Sequence, residues 1–310
     1  MKTRILFAIA TFAAAFLNFT DLDGRSRNRQ VLIIGLDGIS VDGLAEAETP
    51  NLDRIFAEGS STVTMRNVMP TITMPNWTSL LSGSGPEQHG VLDNRWSPDN
   101  VLLPAVVKDQ EGYYPSIFKV VKDSDPEFVT GFYFDWKQLI NPFNPNYLDH
   151  VFLADPDDYN TIYDAGEQFI RDNSRKDFFF FLYAGFTDNV GHRFGWMTPE
   201  YIDAIEAADI RIGQLFQVME QEGIYEDCYI LFITDHGGLD RHHGGNSPQE
   251  VIVPWALKGP GIKAGHVLEG TSNTIDTAPI ILDILGLDAP ESWIGRRHND
   301  IFKKGRSGRR

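Results

Sequence analysis

The stretch FFFFLYAGFTDNVGH, residues 178–192, joins a wholly apolar run to a polar end. The run at 178–184 contains four phenylalanines, a leucine and a tyrosine, and it predicts a strand buried in the middle of a sheet. Asp188 and His192 follow it at D-x-x-x-H spacing. Ligands of open α/β sheets gather at the carboxyl ends of the strands, so both side chains are candidate functional groups.

Two further apolar runs, residues 30–36 and 228–234, end in the same way. The polar residues that follow these two runs are Asp37, Asp235, His236, His242 and His243. The three strand ends are therefore predicted to converge on one face of a sheet. Carboxylate and imidazole groups together favour zinc-like ions, because calcium and magnesium prefer shells of oxygen alone.

Predicted strands alternate with predicted helices along the rest of the chain, and the clearest helix covers residues 199–222. This order predicts an α/β fold: a three-layer sandwich with a mainly parallel sheet and helices on both faces. We expect residues 30–305 to form a single catalytic domain. Residues 97–160, rich in aromatics and prolines, form either an inserted cap or surface loops of that domain.

The net charge argues against one class of function. The 310 residues carry a net charge of -16, and no basic stripe is available to neutralise phosphates, so nucleic-acid binding is not expected. The sequence does not indicate an oligomeric state.

The first residues predict a signal peptide. Lys2 and Arg4 precede an apolar run at residues 5–17, which is the pattern of a secretory signal ending near residue 20. A buried N-terminal helix is the alternative, and the run is too short for a stable membrane span. Export to a periplasm or to the extracellular space is expected. The single cysteine, Cys228, cannot form an internal disulfide.

The candidate nucleophile lies in PTITMPN, residues 70–76. Thr73 stands just before a predicted helix, whose free N–H groups favour an anion. A hydroxyl in that position can ionise beside a divalent cation, which would replace the usual general base. Other hydroxyls nearby compete for the role or serve as caps: Thr71, Thr78 and Ser79.

At this point the motifs show a resemblance. Five of them occur in order: GLDG at 35–38, PTITMPN at 70–76, GVLDN at 90–94, D-x-x-G-H at 188–192 and DHG at 235–237. The ordered set resembles the alkaline phosphatase superfamily, and within it the nucleotide pyrophosphatase/phosphodiesterase (type I phosphodiesterase) family. Residues 276–296 look like the closing helix of that superfamily. The resemblance implies an alkaline-phosphatase-like fold.

The resemblance also implies two divalent metal ions, with zinc favoured. One ion would be held by Asp37, Thr73, Asp235 and His236, and the other by Asp188, His192 and His243. His242 is the runner-up for the last ligand. Asn94 matches a family asparagine that binds a phosphoryl oxygen. His89 matches a motif histidine that we interpret as structural.

The function implied is an exported two-zinc phosphodiesterase or nucleotide pyrophosphatase, acting on a small-molecule phosphate ester through a phospho-threonine intermediate. Alternatives on the same site are a phosphomonoesterase, a phosphonate hydrolase and a head-group phosphotransferase, and the non-enzyme alternative is an exported protein that binds a nucleotide or a phosphate ester. The family usually has proline where this chain has Thr187. Five aromatic residues are either a stacking wall for a base or core: Trp77, Trp96, Tyr114, Phe132 and Trp136.

Overall fold

The computed structural model describes residues 28–156 and 158–303, so the expected signal peptide at residues 1–20 lies outside the described residues. The strands are β1 Gln30–Leu36, β2 Ser60–Arg66, β3 Val129–Phe134, β4 His150–Leu153, β5 Phe178–Ala184, β6 Tyr229–Ile233, β7 Ile252–Lys258 and β8 His266–Val267. The helices are α1 Val41–Glu46, α2 Pro50–Glu58, α3 Thr73–Ser82, α4 Pro86–His89, α5 Ile117–Ser124, α6 Asn160–Asn173, α7 Phe186–Phe194, α8 Pro199–Gln221, α9 Pro248–Val251 and α10 Thr277–Leu285.

The strands form one sheet in the order β4-β3-β5-β1-β6-β7-β2-β8. Strands β4, β3, β5, β1 and β6 pair in parallel, while β7 is antiparallel to both of its neighbours. The predicted mainly parallel sheet is confirmed. Because β5, β1 and β6 are adjacent and parallel, their carboxyl ends lie side by side at one edge.

Both faces of the sheet are covered, as predicted. Alternate side chains of β1 enter two different cores: Val31 and Ile33 pack with residues of α3, α5 and α10, whereas Leu32 and Ile34 pack with residues of α2, α6 and α8. This explains why the central strands lack polar alternation, since neither side of them meets water.

Helix α3 begins earlier than the sequence suggested, at Thr73 rather than at Pro75. Proline in the third helical position is tolerated because the first N–H groups of a helix have no partner within it. The early start puts the Thr73 hydroxyl in the first turn of the helix.

The segment 97–160 contributes to the sheet itself. It supplies α5, the edge strand β4 and the neighbouring strand β3, which pairs with both β4 and β5. Its first part, residues 98–115, contains no helix and no strand.

Across residues 28–156 and 158–303, no helix has both the length and the apolar character needed to cross a bilayer.

A close contact under β1 connects the sheet to α3. Trp77, one turn after Thr73, is fully buried against Phe181 and Tyr183 of β5. A Cβ added at Gly35 would lie 2.6 Å from Cη2 of that indole. The glycine therefore sets how closely α3 approaches the sheet.

We expect Gly35→Ala to lower the free energy of unfolding by about 1–3 kcal/mol, because the added methyl overpacks the core against Trp77. Urea unfolding followed by far-UV circular dichroism measures this. Val267→Ala on β8, where the side chain is 68% exposed, is the control and should change stability by less than about 0.5 kcal/mol. Equal stability of the two variants would contradict the contact.

Candidate metal centre

Three strand-end turns bring their carboxylates together at the carboxyl edge of the sheet. The Gly38 N–H, next to Asp37, donates to Asp235 Oδ1 at 3.3 Å. Gly38 has φ +72°, and a Cβ on it would lie 2.9 Å from Asp188 Oδ1. Only glycine combines this backbone conformation with so close an approach, so Gly38 allows the three turns to meet.

One oxygen of each carboxylate is buried without a hydrogen-bond partner among the described residues: Asp37 Oδ1, Asp188 Oδ1 and Asp235 Oδ2. The other oxygens of two of them are secured. Asp37 Oδ2 accepts from the Tyr183 hydroxyl at 2.5 Å, and Asp235 Oδ1 accepts from Gly38. Buried polar atoms in proteins nearly always have a partner, so a set of such oxygens is the arrangement expected of a cation-binding site.

Three histidines face these oxygens in the same way. Nδ1 of His192, His236 and His243 lies 2.8–2.9 Å from a backbone carbonyl oxygen, of Arg241, Gly237 and Thr71 respectively. A hydrogen on Nδ1 satisfies each carbonyl and leaves Nε2 with its lone pair. Such second hydrogen bonds are how proteins fix the tautomer of a metal-binding histidine.

The Nε2 atoms point at the carboxylates. His236 Nε2 lies 3.5 Å from Asp37 Oδ1 and 3.2 Å from Asp235 Oδ2. His192 and His243 place Nε2 at 3.4 and 3.7 Å from the two oxygens of Asp188. In each of these pairs neither atom carries a hydrogen when the histidine is neutral and the carboxylate is ionised, so a cation is what would hold the ionised form together.

Two groups of side chains have ligand atoms close enough to share an ion: Asp188 with His192 and His243, and Asp37 with Asp188 and His236. The first group matches one of the two predicted ligand sets. The second differs from the other set in including Asp188, so the two groups adjoin at that carboxylate.

The site is electrostatically costly without a cation. Burial raises the pKa of Asp37, Asp188 and Asp235 well above the usual range, and the charge of a neighbouring carboxylate raises each further. Burial also lowers the pKa of His236 and His243. Both the carboxylates and the imidazoles are thus driven towards neutral forms, which is the opposite of ion pairing.

Thr73 lies inside this group. Its Oγ1 is 3.3 Å from His236 Nε2, and only 5% of the residue is exposed. Competing hydroxyls are engaged elsewhere: Thr71 donates to the Gly245 carbonyl, and Thr78 and Ser79 donate to carbonyls within α3.

Asn94 lies beside the same helix start. Its Oδ1 accepts from the Met74 N–H at 2.8 Å. This bond fixes the carbonyl end of the side chain, so the amide end is the one left as a donor.

The structure also places the remaining histidines and aromatic residues that the sequence offered as candidates. His242 is exposed, and His243 is the one beside Asp188. His89 is buried, its Nε2 lies 2.8 Å from Ser79 Oγ, and burial lowers its pKa to about 3. Of the five aromatic residues, three belong to the core under the sheet: Trp77, Tyr114 and Phe132. Trp96 and the half-buried Trp136 pack in a small cluster with Met74, and Trp136 also packs against that core.

Sequence reasoning missed three residues that support the site. Tyr183 bonds the Asp37 carboxylate, and Thr187 Oγ1 donates to the Asp37 backbone carbonyl at 2.5 Å. Asp135 follows β3 and accepts from the N–H of Gly185, just before α7; burial raises its pKa to about 6. The strand-end pattern used for Asp37 could have found Asp135 too.

These side chains suit divalent cations that prefer nitrogen and oxygen ligands. It offers buried carboxylate oxygens that lack donors and imidazole nitrogens held in one tautomer. Zinc is the common biological ion that these ligands suit.

Two solved structures resemble this chain in fold. Murine ectonucleotide pyrophosphatase / phosphodiesterase 5, solved as an inactive variant in complex with AMP, superposes with a TM-score of 0.74 at 14% identity, covering 89% of this chain and 100% of that one. A 2-O GAG sulfatase superposes with a TM-score of 0.71 at 14% identity, over 87% of this chain and 73% of its own. These likenesses show the fold, which is alkaline-phosphatase-like as expected.

Sequence relatives identify the family more specifically than the shared fold does. Human ectonucleotide pyrophosphatase/phosphodiesterase family member 1 is 26% identical over 217 residues, covering 66% of this chain and 23% of that protein. An uncharacterized pyrophosphatase/phosphodiesterase of Schizosaccharomyces pombe is 26% identical over 226 residues, covering 67% of this chain and 44% of its own. The chain thus spans about a quarter of the human relative's length.

The family model described as type I phosphodiesterase / nucleotide pyrophosphatase matches residues 31–246, which is more than half of the chain and includes Asp37, Thr73, Asp188 and His243. The resemblance found in the sequence is confirmed. The chain belongs to the type I phosphodiesterase / nucleotide pyrophosphatase family of the alkaline phosphatase superfamily.

Proposed function

We propose that the chain is an exported two-zinc phosphodiesterase or nucleotide pyrophosphatase, which cleaves phosphoric diester or pyrophosphate bonds through a covalent intermediate on Thr73. The observation that carries the proposal is the position of the Thr73 hydroxyl, 3.3 Å from His236 Nε2 and beside carboxylate oxygens that lack donors. Family membership supports the reaction class. Export is supported by the signal-like composition of residues 1–20.

The residues that would hold the ions are those that the resemblance implies. Asp37, Thr73, Asp235 and His236 would hold one zinc ion, and Asp188, His192 and His243 the other. Bound divalent cations lower the pKa of a hydroxyl or a water and stabilise negative charge on phosphoryl oxygens.

The chain's own groups perform the transfer. In the first step the Thr73 hydroxyl gives its proton to solvent, Thr73 Oγ1 forms a bond to phosphorus, and the leaving oxygen departs with the electron pair of the broken bond. In the second step a water attacks the phosphorus, the bond to Thr73 breaks, and the hydroxyl regains a proton. Splitting one displacement into two easier ones is the gain of covalent catalysis.

Asn94 orients the reacting group. With its carbonyl held by the Met74 N–H, its amide can donate to a nonbridging oxygen of the substrate. The first turn of α3 adds N–H groups of the kind that favour an anion. Both donors are neutral, which suits the single negative charge of a diester better than the two charges of a monoester.

The substrate is proposed to carry a nucleotide group. The cluster of Trp96 and Trp136 lies against Met74, next to the nucleophile, and offers an aromatic surface for a base. The murine protein with the same fold was solved in complex with AMP, which supports a nucleotide as the ligand.

Thr73→Ala should lower kcat by at least roughly three powers of ten, since covalent nucleophiles in other hydrolases contribute that much or more. Hydrolysis of a nitrophenyl nucleotide diester by zinc-loaded protein measures this. Thr78→Val is the matched control, because it removes a buried hydroxyl from the same helix that bonds only the Met74 carbonyl. Near-native activity of Thr73→Ala would rule out the covalent mechanism.

Chelation of the metal should lower the melting temperature and abolish activity, and back-titration should restore both at two zinc ions per chain. Ligand present at 100 times its Kd stabilises the native state by roughly 2.7 kcal/mol. His243→Ala should reduce the tight stoichiometry to one, whereas His242→Ala, one residue away and exposed, should leave it at two. A wild-type chain that binds no zinc would refute the two-zinc proposal.

The zinc-loaded protein should have a higher kcat/KM for a nitrophenyl nucleotide diester than for nitrophenyl phosphate, because the donors at Thr73 match a monoanion. Nitrophenolate leaves from both substrates, so the ratio reports recognition of the group that stays on phosphorus, which is a nucleoside ester in the diester and a second charged oxygen in the monoester. A preference for the monoester would move the proposal to a phosphomonoesterase.

A further inference from the structure

The indole of Trp196 lies where three ligand-bearing turns meet. Its Nε1 donates to the Gly38 carbonyl at 2.8 Å, and only 6% of the residue is exposed. A Cβ at Gly191, in the ligand-bearing part of α7, would lie 2.8 Å from the ring, and one at Gly238, after His236, would lie 2.2 Å from it. The ring therefore fills a slot that exists because both positions lack a side chain.

The same ring contacts two histidines of the candidate metal centre edge-on. Its centroid is 5.3 Å from that of His192 with an interplanar angle of 87°, and 6.3 Å from that of His243 with an angle of 69°. The side chain of His192 is 42% exposed, and its hydrogen bond to Arg241 fixes only one end of the ring. The indole restricts how that imidazole can turn.

Unusual backbone geometry is concentrated at this contact. Among the described residues, Met197 and Asp240 are the two non-glycine residues with left-handed φ, at 66° and 53°. The Trp196 N–H donates to the Asp240 carbonyl at 2.7 Å, so both unusual residues flank one interaction. Such conformations cost free energy and persist where the surrounding structure requires them.

We propose that Trp196 is a positioning residue for one of the two ions: it holds His192 and His243 in place for the site that they form with Asp188. The indole acts through these two histidines without contacting the substrate, and its Nε1 bond to the Gly38 carbonyl anchors the indole itself. The inference rests on the two-zinc centre of the proposed function and adds a residue that is not itself a ligand.

The test is the zinc affinity of Trp196→Phe, measured by competition with a chromophoric chelator, first on the wild type and then on the variant. Phenylalanine keeps an aromatic ring but loses the Nε1 bond and part of the packing surface. Removing a group that orients metal ligands typically weakens binding roughly 10- to 100-fold. The affinity for one zinc ion should fall by that factor, and the affinity for the other should stay at its wild-type value.

Trp293→Phe is the matched control. Trp293 is 7% exposed, donates Nε1 to the Pro115 carbonyl at 3.0 Å, and packs 2.6 Å from the position of a Cβ on Gly83. The substitution removes the same kind of contact away from the ligand turns, so it should leave both zinc affinities unchanged.

Second substitutions identify the weakened site. Adding His192→Ala to Trp196→Phe should leave the remaining tight zinc unaffected, whereas adding His236→Ala should abolish it. If Trp196→Phe has no cooperative unfolding transition, Gly191→Ala replaces it, because its methyl displaces the indole while alanine favours the helix. The same selective loss is then expected.

The outcomes separate the two proposals. A wild type that binds no zinc overturns the two-zinc function. A wild type with two ions and a folded variant that binds both as tightly, or that weakens both equally, overturns the role of Trp196.

Discussion

The carboxyl edge of this sheet depends on one constraint: three buried carboxylate oxygens, on Asp37, Asp188 and Asp235, have no hydrogen-bond donor among the described residues. Burying charge without a partner is among the costliest arrangements in a folded protein. A sequence selected only for stability would not place three such groups together. Burial and the charge of the neighbouring carboxylates raise the pKa values of all three groups. The site is therefore suited to bind a cation, whose positive charge would stabilise the ionised carboxylates.

The surrounding fold fixes the positions of these carboxylates and of the residues around them. Parallel strands buried on both faces fix where the turns begin, and Gly38 lets two of them touch. Backbone carbonyls hold three histidines in one tautomer, so that Nε2 faces the carboxylates. The contact of Trp77 with Gly35 sets the distance of α3, and therefore of Thr73, from the sheet. The reactive hydroxyl is positioned by the core rather than by a flexible loop.

The sequence was informative wherever a function depends on residues next to each other in the chain. Apolar runs ending in Asp37, Asp188 and Asp235 predicted both the central strands and the position of the candidate ligands. Partners distant in sequence could not be found in this way. Tyr183 lies 146 residues from the carboxylate that it bonds, and Thr187 lies 150 residues from the same aspartate. An isolated tyrosine in an apolar strand has no local pattern that marks such a role.

By itself the sequence determined the fold class, the family and the set of strand-end residues, because these follow from hydrophobic periodicity and from motifs within short segments. Only the tertiary structure decided which atoms meet. It placed His243 rather than its neighbour beside Asp188, made Asp188 common to both groups of ligands, and set Trp196 among three turns. The physical reason is that side-chain direction at a turn depends on contacts between segments far apart in the chain, and those contacts exist only once the sheet has formed.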